Sequence, residues 1–214
     1  MENSLKTAWK DKLPETLSLI LMALSTIGSS WSGFQSSLWS GIQTFALADA
    51  SRFGRNASES DLVANQQRSM DGQAFMEYSR ALAEGNSRLA QFFHDRMRPE
   101  FLPALDAWLA TKPLQNPAAP VSPFAMPEYQ LRVAAQAKEE DRQSAETHAK
   151  AQQANLASDT YTLLVLLYTS ALFLAGLVAS LVESRFKWVN LALSFVFVVV
   201  ATILLAGLPV AHRG

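Results

Sequence analysis

Residues 18–43 read SLILMALSTIGSSWSGFQSSLWSGIQ, and serine stands in this stretch where a membrane helix usually carries leucine. At coiled-coil spacing, one seam along the stretch consists of Ser18, Met22, Ser25, Ser29, Ser32, Ser36, Trp39 and Gln43. At intervals of four, two ladders of small residues are present; they are Ser25, Ser29, Gly33, Ser37 and Gly41, and Gly28, Ser32, Ser36 and Ser40. Small residues on one helical face let another backbone approach closely, and serine hydroxyls add hydrogen bonds between helices in lipid. The first helix is therefore predicted either to pack on another helix or to line a path.

Three apolar segments of the chain are candidates for membrane spans. Residues 160–182 and 189–208 reach the ~20 apolar residues that cross ~30 Å of hydrocarbon, and neither holds a charged residue. Residues 13–31 form a weaker third span because serine dilutes it. Basic residues before this segment are also typical of a cleaved signal peptide, but no cleavage site of small residues follows directly. We therefore expect an uncleaved span, in an all-α integral membrane protein with three transmembrane helices.

Composition excludes several classes of function. The net charge is −1 and Lys and Arg form no cluster, which argues against nucleic-acid binding. The chain has no cysteine, so disulfide scaffolds and thiolate metal sites are excluded. The sequence contains neither a glycine-rich phosphate loop nor a nucleophile elbow, and no ionisable residue lies inside a span. We expect no enzymatic activity, catalytic residue, cofactor or metal site.

Basic residues near the span ends predict the orientation of the chain. Five lie on one side and two on the other; they are Lys6, Lys10, Lys12, Arg185 and Lys187 against Lys150 and Arg213. By the positive-inside rule, the tail 1–12 and the loop 183–188 are cytoplasmic, whereas residues 32–159 and 209–214 are extracytoplasmic. Aromatic residues suit the same arrangement; those at the inner interface are Trp9 and Trp188, and those at the outer interface are Trp31 and Tyr161.

The segment between the first two spans is predicted to be helical. Pro14 and Glu15 suit the start of the first helix, and no stop signal occurs before residues 51–60, which gives a helix of about 37 residues. Shorter helices are expected over residues 61–110; one is capped by Asp71, one by Asn86 or Ser87, and one is opened by Pro99. Five prolines make residues 112–127 either an extended ordered strap or a linker.

A second long helix is predicted from residue 128 to residue 182, because neither proline nor glycine occurs between Glu128 and Gly176. Its first half is rich in alanine, which suits close packing on the serine and glycine face of the first helix. We expect the two helices to form an antiparallel extracytoplasmic stalk, with residues 61–127 as its cap.

The small residues in the spans have two interpretations. The helix-packing seam is Ser25, Ser29, Gly33, Ser37 and Gly41 in the first helix, with Ala171, Ala175 and Ala179 in the second span. As a pore lining in a symmetric ring, Ser18, Ser25, Ser29 and Ser32 would present hydroxyls to water. Packing without conduction is the commoner case.

Arginine and tryptophan at the predicted cap are candidates for contact with a partner. They are Arg96, Arg98 and Trp108, residue types that often anchor protein interfaces. The alternative is an internal ion pair of Arg98 with Glu100 or Asp106.

Three sets of short stretches rich in tryptophan, glycine and proline stand out along the chain. The sets are WSGFQ at 31–35 with WSGIQ at 39–43, RPEF at 98–101 with Ala107 and Trp108, and NPAAP at 116–120 with SPFAMPEY at 122–129. Together these stretches resemble a group of uncharacterised bacterial three-span membrane proteins of about this length, over most of residues 15–180. The resemblance implies a bacterial inner-membrane location and carries no function to transfer.

The order of the spans is similar to that of the proton-channel subunits that energise outer-membrane uptake and flagellar rotation. Two features differ from that family. There the large segment is cytoplasmic, whereas the charge bias places it outside here, and the acidic residue near the family's membrane proton path is missing from this chain.

The sequence therefore predicts a non-enzymatic homo-oligomer of the bacterial inner membrane, with a cytoplasmic N-terminus. The leading hypothesis is a channel or pore-like assembly with the serine-rich first helix at its centre. The alternative is a membrane scaffold or accessory subunit that presents a helical extracytoplasmic domain to a partner. The expected partners are the lipid bilayer, further copies of the chain and a protein at the cap.

Overall fold

The computed structural model of the protein describes residues 2–212, with side chains described from residue 12. Over these residues the chain is all-helical, with 82% of it in helices and no strand, which confirms the predicted all-α fold. Three helices are long and apolar enough to cross a membrane. The expectations for Lys6, Trp9 and Lys10 concern residues before the first described side chain, and the expectation for Arg213 lies outside the described residues.

Helix α1 is much longer than expected. It runs Glu2–Ala83 without interruption and contains Pro14, so both the predicted start at Pro14 and the predicted end at residues 51–60 are wrong. Alanine recurs at every seventh position, at Ala50, Ala57 and Ala64, and all three side chains are buried. Packing along this buried stripe stabilises α1. It offsets the cost of the glycines inside the helix, each about 1 kcal/mol less favourable than alanine. Asp71 is therefore a buried residue inside α1, and its predicted role as a helix cap is wrong.

Two short helices follow, close to the predicted places. Gly85 ends α1 with φ of +72°, a left-handed conformation that favours glycine. Helix α2 is Ser87–His94, and the side chain of Asn86 caps it by accepting a hydrogen bond from the Leu89 amide at 3.1 Å. Helix α3 is Leu102–Ala110. Residues 111–131 contain a single 3-10 turn, Pro123–Ala125, and otherwise lack helix.

Helix α4 is Arg132–Leu177, continued by a 3-10 turn, Val178–Ser180, and helix α5 is Ser184–Ala206. Helix α4 begins later than the expected residue 128, because Tyr129 is bound to the side chain of Asp71 and the chain around it turns. The apolar stretch is weakest in α1 and strongest in α5, as expected from the serines of the first span.

The chain forms two compact units. The first, named the membrane unit because it holds the apolar parts of α1, α4 and α5, is Met1–Ala48 with Thr147–Gly214. Its core consists of Leu21, Tyr161, Leu164, Tyr168, Ala171, Ala175, Val178, Leu191, Val198 and Ala201. The second unit is Asp49–Glu146. Its core consists of Tyr78, Ala81, Ala90, Met97, Phe101 and Leu105.

Candidate functional site: the polar seam of the membrane unit and the surface of the second unit

Polar contacts mark both ends of the three-helix bundle in the membrane unit. At one end the Lys187 ammonium donates to Glu15 Oε1 at 3.1 Å. At the other end Gln35 exchanges two hydrogen bonds with Ala211: its Nε2 donates to the carbonyl at 3.2 Å, and its Oε1 accepts from the amide at 2.8 Å. Residues 15 and 35 are separated by about 30 Å of helix, which equals the thickness of a hydrocarbon core.

Aromatic side chains surround the Gln35 end. The Trp39 indole N–H donates to the Pro209 carbonyl at 3.1 Å, and the Tyr161 hydroxyl donates to the same oxygen at 3.2 Å. Amphipathic rings at this level are typical of a membrane–water interface. At the Glu15 end, the first apolar stretch of α1 lies beside Lys187 in the first turn of α5, so most of the predicted loop 183–188 is helical. The charge count groups these two segments on one side.

The buried face of α1 follows coiled-coil spacing. Ser18, Ser25 and Ser32 are buried, and Leu21 and Gln35 are buried between and after them. We call the face formed by residues 18, 21, 25, 28, 32 and 35 the buried face. Three of the serines proposed to line a pore are therefore buried within their own chain, and the fourth, Ser29, is half-buried.

The ladder at intervals of four is divided between buried and exposed positions. In α1, Ser25 is buried and Gly41 is half-buried, while Gly33 and Ser37 are exposed. In the second span Ala171 and Ala175 are fully buried, and Ala179 is exposed. The reason is geometric, because a step of four residues advances about 40° beyond a full turn and the ladder winds away from the contact.

Gly28 lets one aromatic side chain join three helices. A Cβ atom on Gly28 would lie 2.5 Å from Tyr168 Cζ, so only glycine fits beneath this ring. The Tyr168 hydroxyl in turn shares a hydrogen bond with Thr202 Oγ1 at 3.1 Å. Tyr168 on α4 therefore contacts α1 with its ring and α5 with its hydroxyl.

Further hydroxyls link the spans directly. Ser36 Oγ is 3.2 Å from Ser158 Oγ and 3.0 Å from Thr162 Oγ1. Ser194 Oγ donates to the Ala171 carbonyl at 2.8 Å. The Oγ atoms of Ser25 and Ser32, by contrast, are buried and have no hydrogen-bond partner among the described residues. A buried polar group left unpaired costs about 1–3 kcal/mol, so these two hydroxyls weaken the contact they lie in.

The second unit is organised around the buried carboxylate of Asp71, which is 2% exposed. Arg98 donates to both of its oxygens, from Nε at 2.9 Å and from Nη2 at 3.1 Å, and the Tyr129 hydroxyl donates at 2.9 Å. Arg98 Nη1 also donates to Glu100 at 3.1 Å, and Arg132 Nε donates to Glu100 at 2.8 Å. This network, named the Asp71 node, joins α1, the α2–α3 connection, the segment before α4 and α4 itself.

The node shifts the titration of its members. The hydrogen bond to Asp71 is the largest effect on Arg98 and raises its pKa. Burial, followed by the hydrogen bond to Asp71, raises the pKa of Tyr129. The hydrogen bond from Arg132, followed by that from Arg98, lowers the pKa of Glu100. All three shifts favour the state in which the network is fully bonded, so they indicate a structural role.

Two of the three residues predicted to contact a partner have side chains bonded to other residues of the second unit. Arg98 belongs to the Asp71 node, and its ion pair with Glu100 forms at 3.1 Å, whereas Asp106 Oδ1 lies 3.1 Å from His94 Nε2 instead. The Trp108 indole donates to the Pro120 carbonyl at 2.7 Å, and its ring lies 5.3 Å from that of Phe75.

Arg96 is the exposed member of the three. Its guanidinium lies 3.7 Å from the centroid of the Phe92 ring, and it forms no ion pair with any described residue. The ring of Phe92 lies 5.7 Å from that of Phe93, which lines a groove of about 560 Å³. The other residues lining the groove are Met70, Gln73, Ala74, Met76 and Glu77. We call this groove with Phe92 and Arg96 the methionine surface.

Sequence reasoning missed Asp71 as a buried centre and the methionine surface as a groove. A signal for Asp71 is present, because Ala50, Ala57 and Ala64 are followed at the same interval by Asp71 and Tyr78. That spacing predicts a carboxylate on the buried face of one continuous helix. The methionine surface has no comparable signal, since α1 and α2 form it together through a turn at Gly85.

Comparison with known proteins gives no assignment. No family model matches the chain, and no match was found among curated proteins or among solved structures.

Proposed function

We propose that the protein is a non-enzymatic membrane scaffold or accessory subunit, located in a bacterial inner membrane, that presents its second unit to a protein partner. The observation that carries this proposal is the methionine surface, which combines exposed apolar side chains with an arginine that forms no ion pair with any described side chain. Met70 is 53% exposed and Met76 is 62% exposed. Methionine adapts to differently shaped apolar partners, and arginine is enriched at interface centres.

The chemistry of this surface defines the partner. The groove suits an amphipathic helix that inserts apolar side chains between Met70, Met76 and Phe93. Arg96 stacks on Phe92, whose ring contacts that of the groove residue Phe93, and its guanidinium suits a carboxylate on that helix because it can form a bidentate pair. The proposed partner is therefore a protein with an acidic amphipathic helix.

The contents of the membrane unit support an anchoring role. Ser18, Ser25 and Ser32 face the core of their own chain, so they are not available to a path between copies. The charge bias supports placing the second unit on the extracytoplasmic side. A reporter enzyme that works only in the cytoplasm can be fused after residue 214. Activity of that reporter would refute this orientation.

The scaffold proposal is tested by capturing partners with the full-length chain in native membranes. A photo-crosslinking amino acid in place of Met76 should capture a discrete protein, and Arg96→Glu should reduce the yield by roughly tenfold, the loss expected when an interface charge is reversed. Val121→Glu is the matched control, because Val121 is 96% exposed and lies outside the methionine surface. Equal capture by Arg96→Glu and wild type would contradict the proposal.

A further inference from the structure

Helix α1 has two more faces in the membrane unit besides its buried face, and both are exposed. The first, named the bulky face, consists of Ile27, Trp31, Phe34, Leu38, Ile42 and Phe45, of which all but the half-buried Leu38 are exposed. The second, named the small face, consists of Ala23, Thr26, Ser30, Gly33, Ser37, Ser40 and Thr44, and all seven are exposed. Both faces follow alternating steps of three and four residues, the spacing of helices that pack side by side.

The two exposed faces lie beside each other on the helix. At 100° of rotation per residue, their centres are about 105° apart. The bisector between them points about 165° or more away from the centre of the buried face. Helices α4 and α5 therefore cover one side of α1, and the bulky and small faces share the other side.

We propose that α1 packs against α1 of neighbouring copies in a closed ring, with the bulky face of one copy on the small face of the next. A ring of parallel helices requires contact faces separated by about 90° for four copies, 108° for five and 120° for six. The separation on α1 fits five copies best. The same geometry places α4 and α5 on the outside of the ring.

Shape and charge both suit this contact. The bulky face presents large side chains at the levels where the small face presents Ser, Thr, Gly or Ala, so ridges meet a groove. Copies in one bilayer share an orientation, and each residue then lies at the level of its own equivalents. No charged residue occurs between Glu15 and Asp49, so the contact brings no like charges together.

Lipid does not account for the upper part of these faces. Ile42 and Phe45 lie about 10 and 15 Å along α1 beyond Gln35, the residue that marks the end of the bundle. Phe45 is nevertheless 77% exposed. Both faces extend past the bundle by the same distance, to Phe45 and to Thr44. A neighbouring α1 covers both at once, which lipid at that level cannot do.

Copy number is the first test. The full chain in nanodiscs should contain about five copies, and Ser30→Leu with Ser37→Leu should reduce it to one by filling the groove. Ser170→Leu, an equivalent change at an exposed position of α4, should leave the copy number unchanged. A monomeric wild type, or a double variant with the wild-type copy number, would overturn the proposal.

Cysteine crosslinking is the second test, and the chain has no cysteine to interfere with it. Copies carrying Trp31→Cys mixed with copies carrying Ser30→Cys should form mixed dimers roughly tenfold more than either variant alone, because the contact joins different faces. Ile203→Cys on α5, 68% exposed, is the control and should not crosslink. Trp31→Cys copies that crosslink best with themselves would indicate a two-fold contact and contradict the ring.

Discussion

The membrane unit and the second unit each hold a stretch of α1 with residues at seven-residue spacing, but they use different chemistry. In the membrane unit the repeating residue is serine, at 18, 25 and 32; in the second unit it is alanine, at 50, 57 and 64, followed by Asp71. In lipid, apolar side chains gain nothing by burial, so small residues such as these serines favour helix contact by letting backbones approach closely, whereas in water burial itself is favourable. A charged node is consequently found in the second unit, and the spans contain no charged residue.

The largest effect we expect is from Asp71→Ala in the second unit. The change leaves Arg98 and the Tyr129 hydroxyl without their buried acceptor, and breaking a buried pair typically costs about 3–5 kcal/mol. Asp61→Ala, at an exposed position of the same helix, should cost little. Fluorine NMR of fluorotryptophan-labelled full chain would separate the units, because Trp108 reports on the second unit and Trp39 on the membrane unit. If Asp71→Ala reduced the chemical-shift dispersion of the Trp39 signal and left the Trp108 signal unchanged, the role of Asp71 in the second unit would be contradicted.

Gly28→Ala should give the next largest effect, in the membrane unit. The added Cβ would lie 2.5 Å from Tyr168, and overpacking of this kind costs about 1–3 kcal/mol. Gly41→Ala is the matched control, because no atom lies within 4 Å of its Cβ position. That control should be neutral or stabilising, since alanine favours helix over glycine by about 1 kcal/mol. Equal unfolding midpoints in detergent for the two variants would show that the Tyr168 contact does not restrict Gly28.

These two residues also show how much the sequence can predict. The all-α fold and the three long apolar helices follow from span length and from the absence of proline, which are properties of the chain itself. The sequence does not predict whether the seven-residue seam or the four-residue ladder is buried, because Ser25 and Ser29 belong to both patterns. That choice is made by Tyr168, a residue 140 positions after Gly28 whose ring excludes any side chain there. Asp71 was missed for a related reason, since a lone acidic residue before a helical pattern equally suits a cap.

A smaller difference should separate two buried serines of the membrane unit. Ser25 Oγ has no hydrogen-bond partner among the described residues, whereas Ser194 Oγ donates to the Ala171 carbonyl at 2.8 Å. Ser25→Ala should therefore stabilise the fold by up to about 1 kcal/mol, and Ser194→Ala should destabilise it by about the same amount. Unfolding of both variants in detergent provides the comparison. Destabilisation by Ser25→Ala would mean that the hydroxyl is bonded in the membrane.

The smallest effect we expect is a response of the second unit to acid. Hydrogen bonds from Arg132 and Arg98 hold the pKa of Glu100 below its ordinary value of 4.5. A carboxylate with a lowered folded pKa adds stability that is complete above the unfolded pKa and is lost as the pH falls through the folded pKa. The unfolding temperature of the second unit, followed by the Trp108 signal, should therefore fall below pH 4.5. Glu100→Gln should make that temperature depend less on pH. The Trp39 signal should not follow this pH dependence, because Glu100 and both arginines that bond it lie in the second unit. Identical pH profiles for wild type and Glu100→Gln would assign the acid response to another carboxylate.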